Sequence, residues 1–343
     1  MNRIAIGLMA VAVLSAGVVS AQERYTAPVG KDASAGTAKI TKYVLTVGNL
    51  ERTVAFYQGL GMEAPANQKL KQPAAVPPIA KMTGSPDGTM FRNAFLKIPG
   101  TDFQFEFVEF TNFDRHPAMP RMQDPGAAML SINVRDMDAA LAAAKQGGGK
   151  VITLGGTWLP TGADGKSKEV FVQDPDGFFV EFRQTAAAPD ASAPAGNILN
   201  ANYTSVVDDA EKAANFYKDH FGMEVKVNDW RAGGTPLKLV GLDKGEVRTA
   251  RVSAPGGKVV WQFFSFRGVD RKPYTQRVAD PGTAQFGFQV TDLDAALATF
   301  KSAGSQLVST EAMRSPAGGG TAFMRDPSGV LVEVSQPAPP KAK

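Results

Sequence analysis

Residues 170–182 read Val-Phe-Val-Gln-Asp-Pro-Asp-Gly-Phe-Phe-Val-Glu-Phe, and residues 322–334 read Ala-Phe-Met-Arg-Asp-Pro-Ser-Gly-Val-Leu-Val-Glu-Val. In both stretches Asp-Pro-x-Gly separates two apolar runs. Proline presets φ at the second turn position and glycine frees the backbone at the fourth, so each stretch reads as strand, tight turn, strand. Each returning strand carries a glutamate, Glu181 or Glu333, seven residues after the turn aspartate and among apolar neighbours. A carboxylate in such a setting needs a cation, a metal or hydrogen-bond donors.

Working outward, other stretches also occur twice. Phe56-Tyr57 returns as Phe216-Tyr217, and Asp124-Pro125-Gly126 returns as Asp280-Pro281-Gly282. Asp136-Met-Asp-Ala-Ala-Leu141 returns as Asp292-Leu-Asp-Ala-Ala-Leu297. The chain is a duplicated domain, with repeats over 39–183 and 198–335. Small, polar and Pro-rich segments frame them: a leader at 22–38, a linker at 184–197 and a tail at 336–343. Each repeat divides again into halves that begin with a strand and a capped helix. Asn49 can cap a helix starting at Leu50, and Asp208 and Glu211 have capping-box spacing. Asp136 and Asp292 open the other two helices. Met137, Ala140, Leu141 and Ala144, and likewise Leu293, Ala296, Leu297 and Phe300, fall at i, i+3, i+4, i+7 and give each helix one apolar face. Further strands follow every helix. The expected fold class is α+β, with a βαβββ module written four times.

The chain has 343 residues, of which 43% are hydrophobic, enough for two domains with real cores. It has no cysteine, which excludes disulfides, thiolate nucleophiles and zinc–thiolate sites. The net charge of +4 is spread among acids, so nucleic acid is not an expected partner. The start, MNRIAIGLMAVAVLSAGVVSAQE, reads as a signal peptide cut after Ala21. Its apolar run is shorter than the roughly 20 residues of a spanning helix. A periplasmic or secreted protein with no membrane attachment after cleavage is expected, as monomer or homodimer.

Four strand–helix–strand modules with two Asp-Pro-x-Gly hairpins resemble the vicinal oxygen chelate superfamily, which includes glyoxalase I, bleomycin-resistance proteins and extradiol dioxygenases. The resemblance covers nearly all of the mature chain. It implies paired modules whose sheets curl around clefts, with metal ligands on the first and last strands. In the first repeat the matching positions are Lys42, Glu109, Met129 and Glu181, where the family pattern has histidines at the first and third. In the second repeat they are Asn202, Ser265, Gln285 and Glu333. Carboxylates beside an ammonium, a thioether and amides do not form a divalent site, so no metal and no cofactor is expected.

Strand alternation predicts that Tyr43, Leu45 and Val47 meet the helix while Lys42, Val44 and Thr46 face the cleft. It also places Met129, Ser131 and Asn133, with Asn202 and Thr204, toward the cleft. Glu109 shares a parity with Phe103, Phe105 and Phe107, and Glu181 with Phe179 and Arg183. The reading that follows is a first-repeat cleft in which Lys42 sits between Glu109 and Glu181 against those aromatics. It would bind a small organic molecule with an apolar or aromatic body and a polar head, and no residue is assigned a catalytic role. Two alternatives stay open. One is a glyoxalase-like lyase or isomerase, or a dioxygenase, with nickel, zinc, iron or manganese on divergent ligands; the other is a structural protein with filled clefts. Of the two histidines, His220 falls at a helix end and His116 in the loop between modules, where loop histidines can do acid–base work.

Overall fold

The computed structural model describes residues 39–101, 103–257, 259–309 and 312–339; the expected signal peptide and leader lie outside them. Four modules follow in order, each a strand, a helix and a set of strands. Their first strands are Lys39–Thr46, Ala128–Val134, Ile198–Val206 and Ala284–Gln289. Their helices are Leu50–Gly59, Met137–Gln146, Ala210–Phe221 and Leu293–Ser302. The Asn49, Asp136 and Asp292 side chains accept the capping hydrogen bonds as expected. In the third module the cap is Asp209, one residue later than expected, and it accepts from the amides of Glu211 and Lys212. The residues the periodicity selects in the second and fourth helices are the ones buried there. His220 lies against Phe216 one turn earlier, the two rings tilted and their centroids 5.1 Å apart.

Strand pairing joins modules across the two repeats. The first strand of module 1 pairs antiparallel with that of module 4, and the first strand of module 2 with that of module 3. Modules 1 and 4 thus share a nine-stranded sheet and modules 2 and 3 a ten-stranded sheet among the described residues. The helix-bearing faces of both sheets contribute to one core. Tyr43 and Tyr203 touch at its centre, their ring centroids 4.7 Å apart. Phe105 stacks on Tyr43, and Phe103 lies against Tyr203. The repeats 39–183 and 198–335 are therefore units of sequence whose strands are shared between two sheets. Each sheet keeps its opposite face for a cleft. Modules 1 and 3 add a short helix there, Pro77–Thr83 and Gly234–Leu239, each contributing buried apolar side chains.

The recurring motifs fit one another. Asp174 of the first Asp-Pro-x-Gly turn accepts from the amides of Asp176 and Phe178, closing the turn, and from the Tyr57 hydroxyl at 2.8 Å. Asp326 repeats this with Ser328, Val330 and Tyr217. The Phe-Tyr pair and the Asp-Pro-x-Gly turn are thus two halves of one contact between consecutive modules. In the first repeat it is reinforced, because Asp176 also receives Arg52, Thr53 and the amide of Gly48. Burial and neighbouring Asp176 push the Asp174 carboxyl up to about 7, while its three donors pull the other way. Tyr57→Phe removes one of those donors and should cost about 1–3 kcal/mol at pH 8. The loss should shrink by pH 5, where Asp174 is protonated and has no charge left to support. Urea unfolding at both pH values checks this, and an equal cost at each would contradict it.

Candidate functional site

In the module 1–4 cleft, Lys42 of the first strand extends between two carboxylates. Its Nζ lies 2.7 Å from Glu333 and 3.4 Å from Glu106. Asn93 donates to the other oxygen of Glu106 at 2.7 Å. A Cβ at Gly287 would come 2.3 Å from Lys42 Cγ, so only glycine on the paired strand leaves the lysine room. Burial disfavours the ammonium, but Glu333 and Glu106 outweigh it and raise the lysine pKa. Burial raises Glu333, with Lys42 opposing. Around this trio the cleft is filled. Val44, Val108 and Phe110 pack against Ile79 and Ala279, while Phe323 and Leu331 pack against Met82 and Val278.

The expected trio of Lys42, Glu109 and Glu181 does not form. Glu181 belongs to the other sheet, and Glu109 lies on the helix side, where Arg92 joins it to Glu51 of the first helix. The cause is a frame one residue out. Parallel pairing sets Lys42 beside Gln104 and Val44 beside Glu106, so Glu106 and Val108 face the cleft while Phe105 and Phe107 face the helix. Phe103, Phe105 and Phe107 are core residues. Ser265, the counterpart of Glu109, is likewise on the helix side, since Trp261 and Phe263 of its strand pack in the core. Gln285 sits in the 1–4 cleft, 3.5 Å from the Thr46 hydroxyl.

The module 2 candidates do come together. Pairing sets Ser131 between Glu181 on one neighbouring strand and Asn202 on the other, with Met129 beside Phe179 and Thr204, and Asn133 beside Arg183. Gln262 lies next to Thr204. Asn202 Oδ1 accepts from the amide of Val260. The Thr204 hydroxyl is buried with no partner, and the Ser131 hydroxyl favours charge on Glu181 without a well-formed hydrogen bond. Burial pushes Glu181 up to about 7, with Arg183 opposing and Glu169 adding. Arg183 Nε stands 3.4 Å from Glu169 and 3.8 Å from Glu181. The far end is apolar: Met129, Phe171, Phe179 and Phe264 meet Leu237 and Leu239 of the short helix.

The model of the Glyoxalase/Bleomycin resistance protein/Dioxygenase superfamily matches residues 39–182 and 201–334. The chain belongs to that superfamily. Among solved structures it is similar to glyoxalase I from Zea mays, at 22% identity and a TM-score of 0.55, over 88% of this chain and 92% of that one. It is also similar to a protein from Bacillus subtilis subsp. subtilis str. 168 assigned as a dioxygenase, at 14% identity and a TM-score of 0.52, over 90% and 87% of the two chains. At these identities the likeness is one of fold. No curated protein matches the chain.

Neither cleft presents donors that fit a divalent metal. In the 1–4 cleft the two carboxylates face an ammonium, and in the 2–3 cleft Glu169 and Glu181 face the Arg183 guanidinium beside a thioether, hydroxyls and amides. Among the described residues no three or more His, Asp or Glu side chains converge. Sequence reasoning missed Glu106, Asn93 and Gln262. The alternative frame of Gln104, Glu106, Val108 and Phe110 was the available signal. His116 lies elsewhere, exposed between Asp114 and Arg277 at the crossing of the two inter-module loops.

Proposed function

We propose that this is an exported ligand-binding member of the superfamily that works without a divalent metal. Its ligand is a small organic molecule with an apolar body and a polar head, held between modules 2 and 3. The observation that carries this reading is the buried Thr204 hydroxyl without a partner, together with the poorly paired Ser131 hydroxyl, beside Glu181. A buried polar group left unmatched costs about 1–3 kcal/mol, which a ligand's polar head would recover. At the apolar end Phe171, Phe179 and Phe264 pack on Leu237 and Leu239, and the ligand's body enters there by parting them. The 1–4 cleft, by contrast, satisfies its own charges, with Lys42 answering both Glu106 and Glu333, which favours a structural part for it.

Thermal unfolding of the mature protein with a panel of small aromatic and aliphatic acids, amides and alcohols tests the assignment. Some members should raise the melting temperature of the wild type and of Asn93→Ala, but not of the double variant Ser131→Ala, Thr204→Val. No stabilisation by any member, or equal stabilisation of the double variant, would refute it. Elemental analysis of protein purified without chelators should find substoichiometric metal. A mass beginning at Gln22 in the exported fraction checks export.

A further inference from the structure

We infer that the molecule taken by the module 2–3 cleft is a monocarboxylic acid bound as its anion, with its carboxylate received by Ser131, Thr204, Asn202 and Arg183 and a proton shared with Glu181. This rests on the ligand-binding reading above and names the head group. Ser131 and Thr204 each bring a hydroxyl proton that no well-formed hydrogen bond uses. Asn202 has committed its oxygen to the Val260 amide, which leaves its NH₂ group. Arg183 is held only loosely, at 3.4 Å by Glu169 and 3.8 Å by Glu181, so its fork can still receive a planar carboxylate. Ser131, Thr204, Asn202 and Arg183 thus each bring a donor hydrogen to this end, and an acceptor-only group fits them.

Charge points the same way. The charged groups acting on Glu181 are Arg183 on its own strand, Glu169 on the adjacent strand and Arg251 on the facing module. With Glu181 protonated, two guanidinium groups face one carboxylate, and a single anion balances the site. With Glu181 ionised the site is already neutral, and an incoming carboxylate would meet a like charge. Burial holds Glu181 near the point where either form is accessible, at about 7. Below that pH the anion enters a protonated site. Above it, binding must take up a proton from solvent, so affinity should fall toward tenfold per pH unit. The body of the acid goes to the apolar end, where Phe171, Phe179 and Phe264 part from Leu237 and Leu239 to admit it.

Isothermal titration calorimetry of the mature full chain with benzoate and hexanoate, and with benzamide and hexanamide, at pH 6, 7 and 8 decides the matter. The acids should bind at least tenfold more tightly than the amides at pH 6, with affinity about tenfold weaker at pH 8 than at pH 6. Glu181→Gln, which preserves shape and a donor, should bind the acids with affinity independent of pH over this range. Ser131→Ala should weaken acid binding at pH 6 and move the fall in affinity to higher pH, because the hydroxyl that favours charge on Glu181 is gone. Amides binding as well as acids, or a flat wild-type pH profile, would overturn the carboxylate assignment and leave the ligand-binding reading standing. Binding of none of the four probes overturns this inference, and the broader reading then falls as well if the whole panel fails to stabilise the protein.

Discussion

Lys42→Met should destabilise the protein by about 3–5 kcal/mol at pH 7–8, the cost of removing one partner from a buried ion pair and leaving the charge behind. Glu106 and Glu333 reach the same ammonium from two modules, and all three side chains are largely buried. Methionine keeps most of the apolar stem, so packing alone should cost little. What is lost is the cation that makes two close carboxylates tolerable. Without it, Glu333, already raised by burial, should rise further. A carboxyl whose folded pKa exceeds its unfolded value stabilises fully below about 4.3 and loses that contribution as pH rises through the folded pKa. The defect should therefore be largest at pH 8 and much smaller near pH 5. Adding Glu106→Gln and Glu333→Gln to Lys42→Met should restore most of the stability at pH 8. Guanidinium unfolding of the three proteins at both pH values measures this. A Lys42→Met cost below 1 kcal/mol at pH 8 would mean that water reaches the trio.

Much of this architecture was legible because it is written in periodicities and repeats that local physics enforces. The caps at Asn49, Asp136 and Asp292 and the apolar faces of two helices depend only on neighbouring residues. Assignment to the superfamily followed from the order of the modules. Two things were not legible, for different reasons. Which module shares a sheet with which is a long-range choice, and the duplicated motifs are equally compatible with pairing inside a repeat or across repeats. The strand Gln104–Thr111, with phenylalanines at 105, 107 and 110, offers apolar residues to both faces, so alternation could not say which side Glu106 or Glu109 takes. The neighbouring strand settled it, through the pairing of Val44 with Glu106. Strands with one clearly polar face were read correctly, as for Met129, Ser131 and Asn133. Lys42 does stand between two carboxylates, but they are Glu106 and Glu333 and not the expected Glu109 and Glu181.

Lys42→His should convert that cation position into a zinc site. Zinc asks for nitrogen and oxygen donors in a compact set, and three protein donors with a fourth position for water make a workable site. Glu106 and Glu333 already converge on one point from opposite sides of the module 1–4 cleft, and an imidazole on the same strand position supplies the nitrogen. Asn93 holds one oxygen of Glu106 at 2.7 Å, so that ligand is oriented before metal arrives. In the wild type the ammonium occupies the same point and repels a divalent ion, so affinity should be weak. Metal-free Lys42→His should be destabilised at pH 8 much as Lys42→Met is, because neutral imidazole leaves the carboxylates uncompensated. Zinc should then reverse the loss, giving about 2.7 kcal/mol of stabilisation at a hundred times the dissociation constant. Histidine is shorter than lysine, so the strands must close slightly around the metal and affinity should remain below that of a native site. Calorimetric titration with zinc and unfolding with and without it read both effects. Stoichiometric tight zinc in the wild type would show that Lys42 does not hold the position. A variant that neither binds zinc nor is stabilised by it would show that the two glutamates cannot close on an ion.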